Sequence, residues 1–312
     1  MKIISAVFFL MMVVVPASYA EQNAIRSEPT ASAPDQSGAD ARSQKKEAID
    51  TEKSADKSSP LSAHKINYFT ANRIPTNSEA QIKFQISAKY KILNWEGSVP
   101  GGTISPYFAY SQKSLWNYGK PSKPFEESNY NPEFFADYRM DKRYRDFILR
   151  NVIVSPYEHE SNGMDGLESR SWNRAYIAVR TGLFPIEEDG SLSPHDRVEL
   201  VLKLWHAWGY SDQDAYLRSI GSADTFLDYA GRGEVELTAR DILLKGAWGN
   251  QLNVTTRIFH DGEKNSFNFE YLQKIKNWHF IPYFQYWYGY NETLLRFDRR
   301  ERRTFVGLAF GY

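Results

Sequence analysis

His159 and Ser161 stand two residues apart in Tyr157-Glu158-His159-Glu160-Ser161-Asn162-Gly163, and Asn173 follows in Ser169-Arg170-Ser171-Trp172-Asn173-Arg174. On a strand, residues two apart point to the same face, so His159 and Ser161 share one. A turn after Gly163 would return the chain and set Asn173 beside them. A serine, a histidine and a third group that orients the imidazole are the parts of an acyl-transfer site. His159 would take the proton from Ser161. Asn173 would accept from the other ring N–H and hold the tautomer. A neutral amide stabilises the imidazolium less than a carboxylate would. Backbone N–H groups at Ser161 and Gly163 could serve the oxyanion, and a glycine permits the close approach this needs.

The surrounding chain limits where such a site can sit. The 312 residues carry no cysteine, which closes thiol, Cys-zinc and disulfide chemistry. Formal net charge is zero, so no global field steers the chain to nucleic acid. Aromatic content is 15%, with 20 Tyr, 19 Phe and 8 Trp. Tyr and Trp suit a membrane interface, where one end is apolar and the other wet. The N-terminus opens with Lys2, an apolar run from Ile3 to Val15, Pro16 and then Ser18-Tyr19-Ala20. This reads as a secretory signal peptide over residues 1–20. The run is shorter than the roughly 20 residues of a spanning helix, and nothing later reaches that length. A β-barrel is then the one permitted spanning structure. Residues 21–62 are rich in Ser, Ala, Asp, Glu, Lys and Gln and hold no aromatic residue, which predicts a disordered periplasmic tether.

From there to the end, residues 63–312, the pattern has period two. Ile82, Phe84, Ile86, Ala88, Tyr90 and Ile92 alternate with Lys83, Gln85, Ser87, Lys89 and Lys91. Val198, Leu200, Leu202 and Leu204 alternate with polar Glu199 and Lys203, and Val306, Leu308 and Phe310 continue the theme. About twelve such segments fit, near 65–72, 81–93, 103–116, 130–140, 144–160, 170–183, 197–210, 228–241, 249–259, 266–275, 278–290 and 302–312. The expected fold is all-β, a transmembrane antiparallel β-barrel of about twelve strands. A soluble sandwich is the competing reading, disfavoured by the strand lengths. In a barrel, apolar residues face lipid. Ala175, Ile177 and Val179 share parity with Asn173, while Arg174, Tyr176 and Arg180 take the other face. Phe147, Leu149 and Ile153 share parity with His159 and Ser161, with Arg150 inward and Asn151 an outward exception. All three polar residues then point outward near one rim, where an unpartnered polar group costs about 1–3 kcal/mol.

The run HESNG followed by SRSWNR resembles the outer-membrane phospholipase A family, whose pattern is His-x-Ser-Asn-Gly and then Ser-Arg-Ser-Trp-Asn-Arg. Tyr110-Ser-Gln-Lys-Ser114 and the Pro124–Tyr130 stretch resemble the family's second barrel segment and the loop after it. Gly289–Leu294 resembles a late hairpin. The resemblance implies a twelve-stranded outer-membrane barrel that hydrolyses phospholipid acyl esters at both glycerol positions (phospholipase A1 and A2, and lysophospholipase activity). It also implies a calcium requirement and activity as a homodimer. Carried over by position, the nucleophile is Ser161, the base His159 and the orienting amide Asn173. The calcium ligands fall on the Ser169 hydroxyl, the Met164 carbonyl and a Ser122 carbonyl of the second subunit. A calcium-bound water would be a further oxyanion donor. Met164 stands where the family usually has Arg, which a carbonyl ligand survives. Asp165 is displaced by one from the family's acidic residue and is not assigned. Gln112 lies on the lipid-facing set with Ile104, Phe108 and Tyr110, where the resemblance implies dimer contact. The rival readings are a passive or structural barrel with a degenerate site, and a different outer-membrane hydrolase.

Overall fold

The computed structural model describes residues 59–72, 80–93, 98–99, 101–122, 124–140, 149–182, 198–240 and 249–311. The expected signal peptide, and the tether up to residue 58, lie outside the described residues. Among the described residues fourteen strands are present: β1 (Leu61–Ala63), β2 (Asn67–Ala71), β3 (Ile82–Lys91), β4 (Ser98–Val99), β5 (Gly102–Trp116), β6 (Phe125–Met140), β7 (Leu149–Ser161), β8 (Ser171–Gly182), β9 (Val198–Trp208), β10 (Gly233–Arg240), β11 (Asn250–Ile258), β12 (Ser266–Gln273), β13 (Ile281–Gly289) and β14 (Glu301–Phe310). Every neighbouring pair is antiparallel. β14 pairs with β2 and β3 with β5, so the sheet closes on itself as a twelve-strand barrel. β1 lies beyond β2 along the same edge of β3, and β4 is a short ribbon on the start of β5. Closure through β14 and β2 pairs the two ends of the sheet, as strands in lipid require.

Alternation sorts side chains to the two faces. Phe69, Ile86, Phe108, Phe134, Leu202, Val306 and Leu308 are exposed on the outer wall. The inner wall is polar and paired. Lys83 meets Glu292 at 2.7 Å, Arg303 meets Glu292 at 3.3 Å, and Glu158 meets Arg174 at 2.7 Å and Lys203 at 3.1 Å.

The strand count stands as expected, but several details differ. β6 begins at Phe125, so residues 125–130, expected as loop, are strand. Leu61 and Ser62, assigned to the tether, are paired with β3. Residues 228–232 do not open a strand. The β9–β10 connection instead holds helix α1 (Ser211–Ser219) and helix α2 (Phe226–Ala230). Thr225 and Asp228 form a capping box at the start of α2, and Gly231, at φ 73°, ends it. Leu217, Phe226 and Leu227 from the helices pack on Trp172, Tyr176 and Trp205 of the inner wall and on Phe297. This apolar plug packs on the inner wall at the end where β7 meets β8. It is latched by Lys264, which donates to Asp224 at 2.7 Å and holds that carboxyl below the usual range.

The parity argument for β7 also needs correction. Ile153 faces in, packed on Tyr107, Phe135 and the Tyr176 cluster, and Asn151 also faces in, donating to Asp137 at 2.7 Å. The register then shifts between Ser155 and Glu158. Pro156 sits in this bulge, where its missing N–H breaks no ladder bond. The extra residue resets parity, so Glu158 and Glu160 face in while His159 and Ser161 face out. The outward placement is as expected, but it depends on the bulge and not on an outward Ile153.

Glu158 is 1% exposed and neutralises two cations. Glu158→Ala leaves Arg174 and Lys203 buried without their shared carboxylate, and lowers unfolding stability by about 3 kcal/mol. Urea titration of the barrel refolded in lipid vesicles measures this.

Candidate active site

Three adjacent elements build the site. β7 delivers His159 and Ser161, β8 delivers Asn173, and β9 ends beside them at Trp208. The register pairs His159 with Asn173 and Ser161 with Ser171. The His159 ring is bonded through Nδ1 to Asn173 Oδ1 at 2.8 Å. The amide oxygen can only accept, so Nδ1 carries the proton and Nε2 is left with a lone pair. That is the tautomer a base needs. Ser161 lies two residues on along the same outward face. Gly209, at φ 73°, closes the far side of Asn173, and a Cβ there would lie 2.5 Å from Asn173 Nδ2. Tyr157 stacks on His159 at 6.5 Å and faces Trp208 at 6.3 Å. Both rings are exposed, so the pair is rimmed by an amphipathic aromatic surface.

The β7–β8 turn is held by Asn162, 3% exposed. Its amide donates to the Glu168 carbonyl at 2.7 Å and accepts from the N–H of Arg170 at 3.0 Å and of Met164 at 3.3 Å. Arg170 donates to the carbonyls of Leu167 and Ser169, both at 2.8 Å, and lies over the Tyr216 ring of α1. Gln213 of α1 donates to the Ser171 carbonyl at 2.8 Å. The plug helices therefore brace the turn from within. Gly163 has φ 64°, and a Cβ there would meet the Tyr130 ring at 2.6 Å. Glycine is thus required on both backbone and steric grounds at this candidate oxyanion position.

Met164 and Ser169 are half-buried on this turn. Among the described residues no three His, Cys, Asp or Glu side chains gather as a metal site. The backbone carbonyl of Met164 and the hydroxyl of Ser169 are hard oxygen donors, the type that suits calcium. Ser122 is exposed on the β5–β6 turn at the same end of the barrel, with φ 66°. Gln112 lies on the outer wall of β5, accepting from Tyr110 Oη at 3.2 Å and donating to Ser114 Oγ at 3.3 Å.

The inner side of the same strands was not singled out from sequence, although alternation implies it. Glu158 and Glu160 flank His159 and point into the barrel. Glu160 accepts from Trp172 Nε1 at 3.0 Å, and Arg174 lies 4.0 Å over the Trp172 ring. Asn131 of β6 donates to the His159 carbonyl at 2.7 Å and to Glu158 at 3.2 Å. Such partners are distant in sequence, and no local pattern announces them.

Gly163→Ala forces the turn away from Tyr130 and strains the backbone. Whatever chemistry Ser161 performs should fall about tenfold or more, since small displacements at a reacting centre are costly. The rate of Ser161 modification by a fluorophosphonate measures it.

Comparison with known proteins places this geometry in a family. The family model described as Phospholipase A1 matches residues 48–310. A Phospholipase A1 of Salmonella typhimurium is 27% identical over 232 residues, covering 73% of this chain and 68% of the relative. A Phospholipase A1 of Escherichia coli is 26% identical, with the same coverage of both. The outer membrane phospholipase A structure from Escherichia coli superposes with a TM-score of 0.64 at 20% identity, covering 80% of this chain and 98% of that one. A Salmonella typhi outer membrane phospholipase dimer with bound calcium gives 0.62 at 21% identity, covering 80% and 92%. These two likenesses concern the fold; the family model, which spans most of the sequence, decides the assignment, and the chain belongs to the phospholipase A1 family.

Proposed function

We propose that this chain is an outer-membrane serine hydrolase that releases fatty acids from phospholipids at the outer leaflet. The carrying observation is the His159–Asn173 hydrogen bond on the lipid-facing wall, with Ser161 beside it on the same face. His159 Nε2 accepts the Ser161 hydroxyl proton as Oγ attacks the acyl carbonyl. The proton then passes from Nε2 to the leaving glycerol oxygen, and water repeats the sequence to free the fatty acid. Asn173 keeps the ring in place throughout. The Ser161 and Gly163 N–H groups are the candidate oxyanion donors. An outward serine can reach an ester only where the ester lies in or at the bilayer, which selects lipid substrates. An open outer face does not separate the two glycerol positions, so A1, A2 and lysophospholipase activities are all part of the proposal.

Calcium completes the reading. Ser169, the Met164 carbonyl and the Ser122 carbonyl of a second copy would hold it, and when bound it supplies positive charge beside the developing oxyanion. A Ser122 ligand from a second copy implies a homodimer, with Gln112 on the shared face. Export through a cleaved signal peptide at residues 1–20, and the tether from 21, belong to the same proposal. The passive-barrel alternative is weakened by the apolar plug and the crowded, ion-paired lumen, which leave little room for a channel.

Fatty-acid release from phospholipid micelles is the test. Wild type should be active with calcium and inactive with chelator. Ser161→Ala should be dead at both. Asn173→Ala should retain activity reduced by about 10–100-fold, since orientation is worth less than the nucleophile. Release by the folded Ser161→Ala variant at wild-type rates would remove the assignment. Calcium should also increase the dimer recovered by crosslinking; a calcium-loaded, active sample found only as monomer would remove the shared site.

A further inference from the structure

The β6–β7 ladder is interrupted beside His159. Tyr130 pairs with Ser161 and Glu133 with Glu158 in one register, yet the two positions between them carry no ladder pair. Asn131-Pro132 occupies the gap on β6, and in that register Pro132 stands opposite His159. Proline has no N–H to donate. The His159 carbonyl, aimed at β6, therefore cannot take a bond from the Pro132 backbone. It takes one instead from Asn131 Nδ2 at 2.7 Å, and the same amide nitrogen donates to Glu158 at 3.2 Å.

The direction of that amide is fixed from the other side. Lys65 Nζ donates to Asn131 Oδ1 at 2.6 Å. An ammonium has donors and no acceptor, so the amide oxygen must face Lys65 and its two N–H groups must face β7. Lys65 sits where β1 gives way to β2. There His64 meets Glu133 at 2.5 Å and the Lys65 N–H reaches Ser87 Oγ at 3.1 Å. Asn131 is 6% exposed and Glu158 1%, so little water is available to take over either bond.

We propose that Asn131 is a positioning residue for the hydrolysis. Its side-chain amide, oriented by Lys65, replaces the backbone donor that Pro132 lacks and fixes the His159 backbone from inside the barrel. The imidazole on the other side of the strand is thereby held on line with Ser161. The inference rests on the reading of His159 as the base of Ser161.

The test compares wild type, Asn131→Ala, Asn131→Ala/Pro132→Ala and Lys65→Met in the full-length calcium-loaded protein. Phospholipid kcat and KM are read, together with the rate at which a fluorophosphonate labels Ser161. Asn131→Ala should lower kcat and labelling about tenfold while KM changes less than about twofold. Pro132→Ala returns a backbone N–H opposite His159, so the double variant should recover most of the loss. A merely structural role for Asn131 would not be rescued there. Wild-type rates in Asn131→Ala, or a folded double variant no faster than the single, would overturn the proposal. If Asn131→Ala does not fold, Lys65→Met decides: slower labelling with unchanged KM supports the proposal, and wild-type rates overturn it. Wild type that is labelled but releases no fatty acid would remove the substrate reading, with the labelling rates still deciding the role of Asn131. Wild type that is not labelled would overturn both.

Discussion

A barrel wall is one strand thick, and each strand shows alternate residues to lipid and to lumen. Everything at this site follows from that. His159, Ser161 and Asn173 face outward, where the barrel itself has no second layer to hold them. Their support must come through the backbone, from the residues between them. Glu158, Glu160, Trp172 and Arg174 are those residues, and they are joined inside by ion pairs, a cation over a ring and an indole hydrogen bond. The buried charges would be costly one by one. As a closed network they are satisfied, and they make the wall behind the site stiff.

The plug extends this support to the turn. A hairpin tip at the rim of a barrel is ordinarily the least constrained part of the fold. Here Arg170 and the Ser171 carbonyl are gripped by α1, whose Leu217 packs with Phe226 of α2 on the inner tryptophans. The segment that carries Gly163, Met164 and Ser169 is therefore fastened to the barrel at both its ends. A rigid turn suits preorganised oxyanion donors and the calcium site proposed above.

Much of the fold was legible because period-two alternation is a local signal. It gave the count of twelve strands and the faces of β8 and β9, and the spacing of His159, Ser161 and Asn173 anticipated the contact of His159 with Asn173 on the outer wall. The β7 faces were misread because one residue at Pro156 resets the parity. A proline inside a strand is the only local hint of that, and Ile153 is apolar whether it faces lipid or the plug. The two helices were missed because they are short and Gly231 hides the end of α2 within a strand-like run. The lumenal partners were invisible for a different reason. Asn131 and Lys203 act on the His159–Glu158 segment from other strands, and only the register of β6 through β9 brings them there.

The central claim is that the reacting groups address the bilayer rather than the lumen. Photo-crosslinking from a phospholipid with a diazirine next to its acyl ester, followed by peptide mapping, tests it directly. The account predicts adducts concentrated on Tyr157–Ser161 and on the Trp208 end of β9. Adducts on inward residues such as Trp172 or Tyr176, with the outer wall around Ser161 unlabelled, would contradict it.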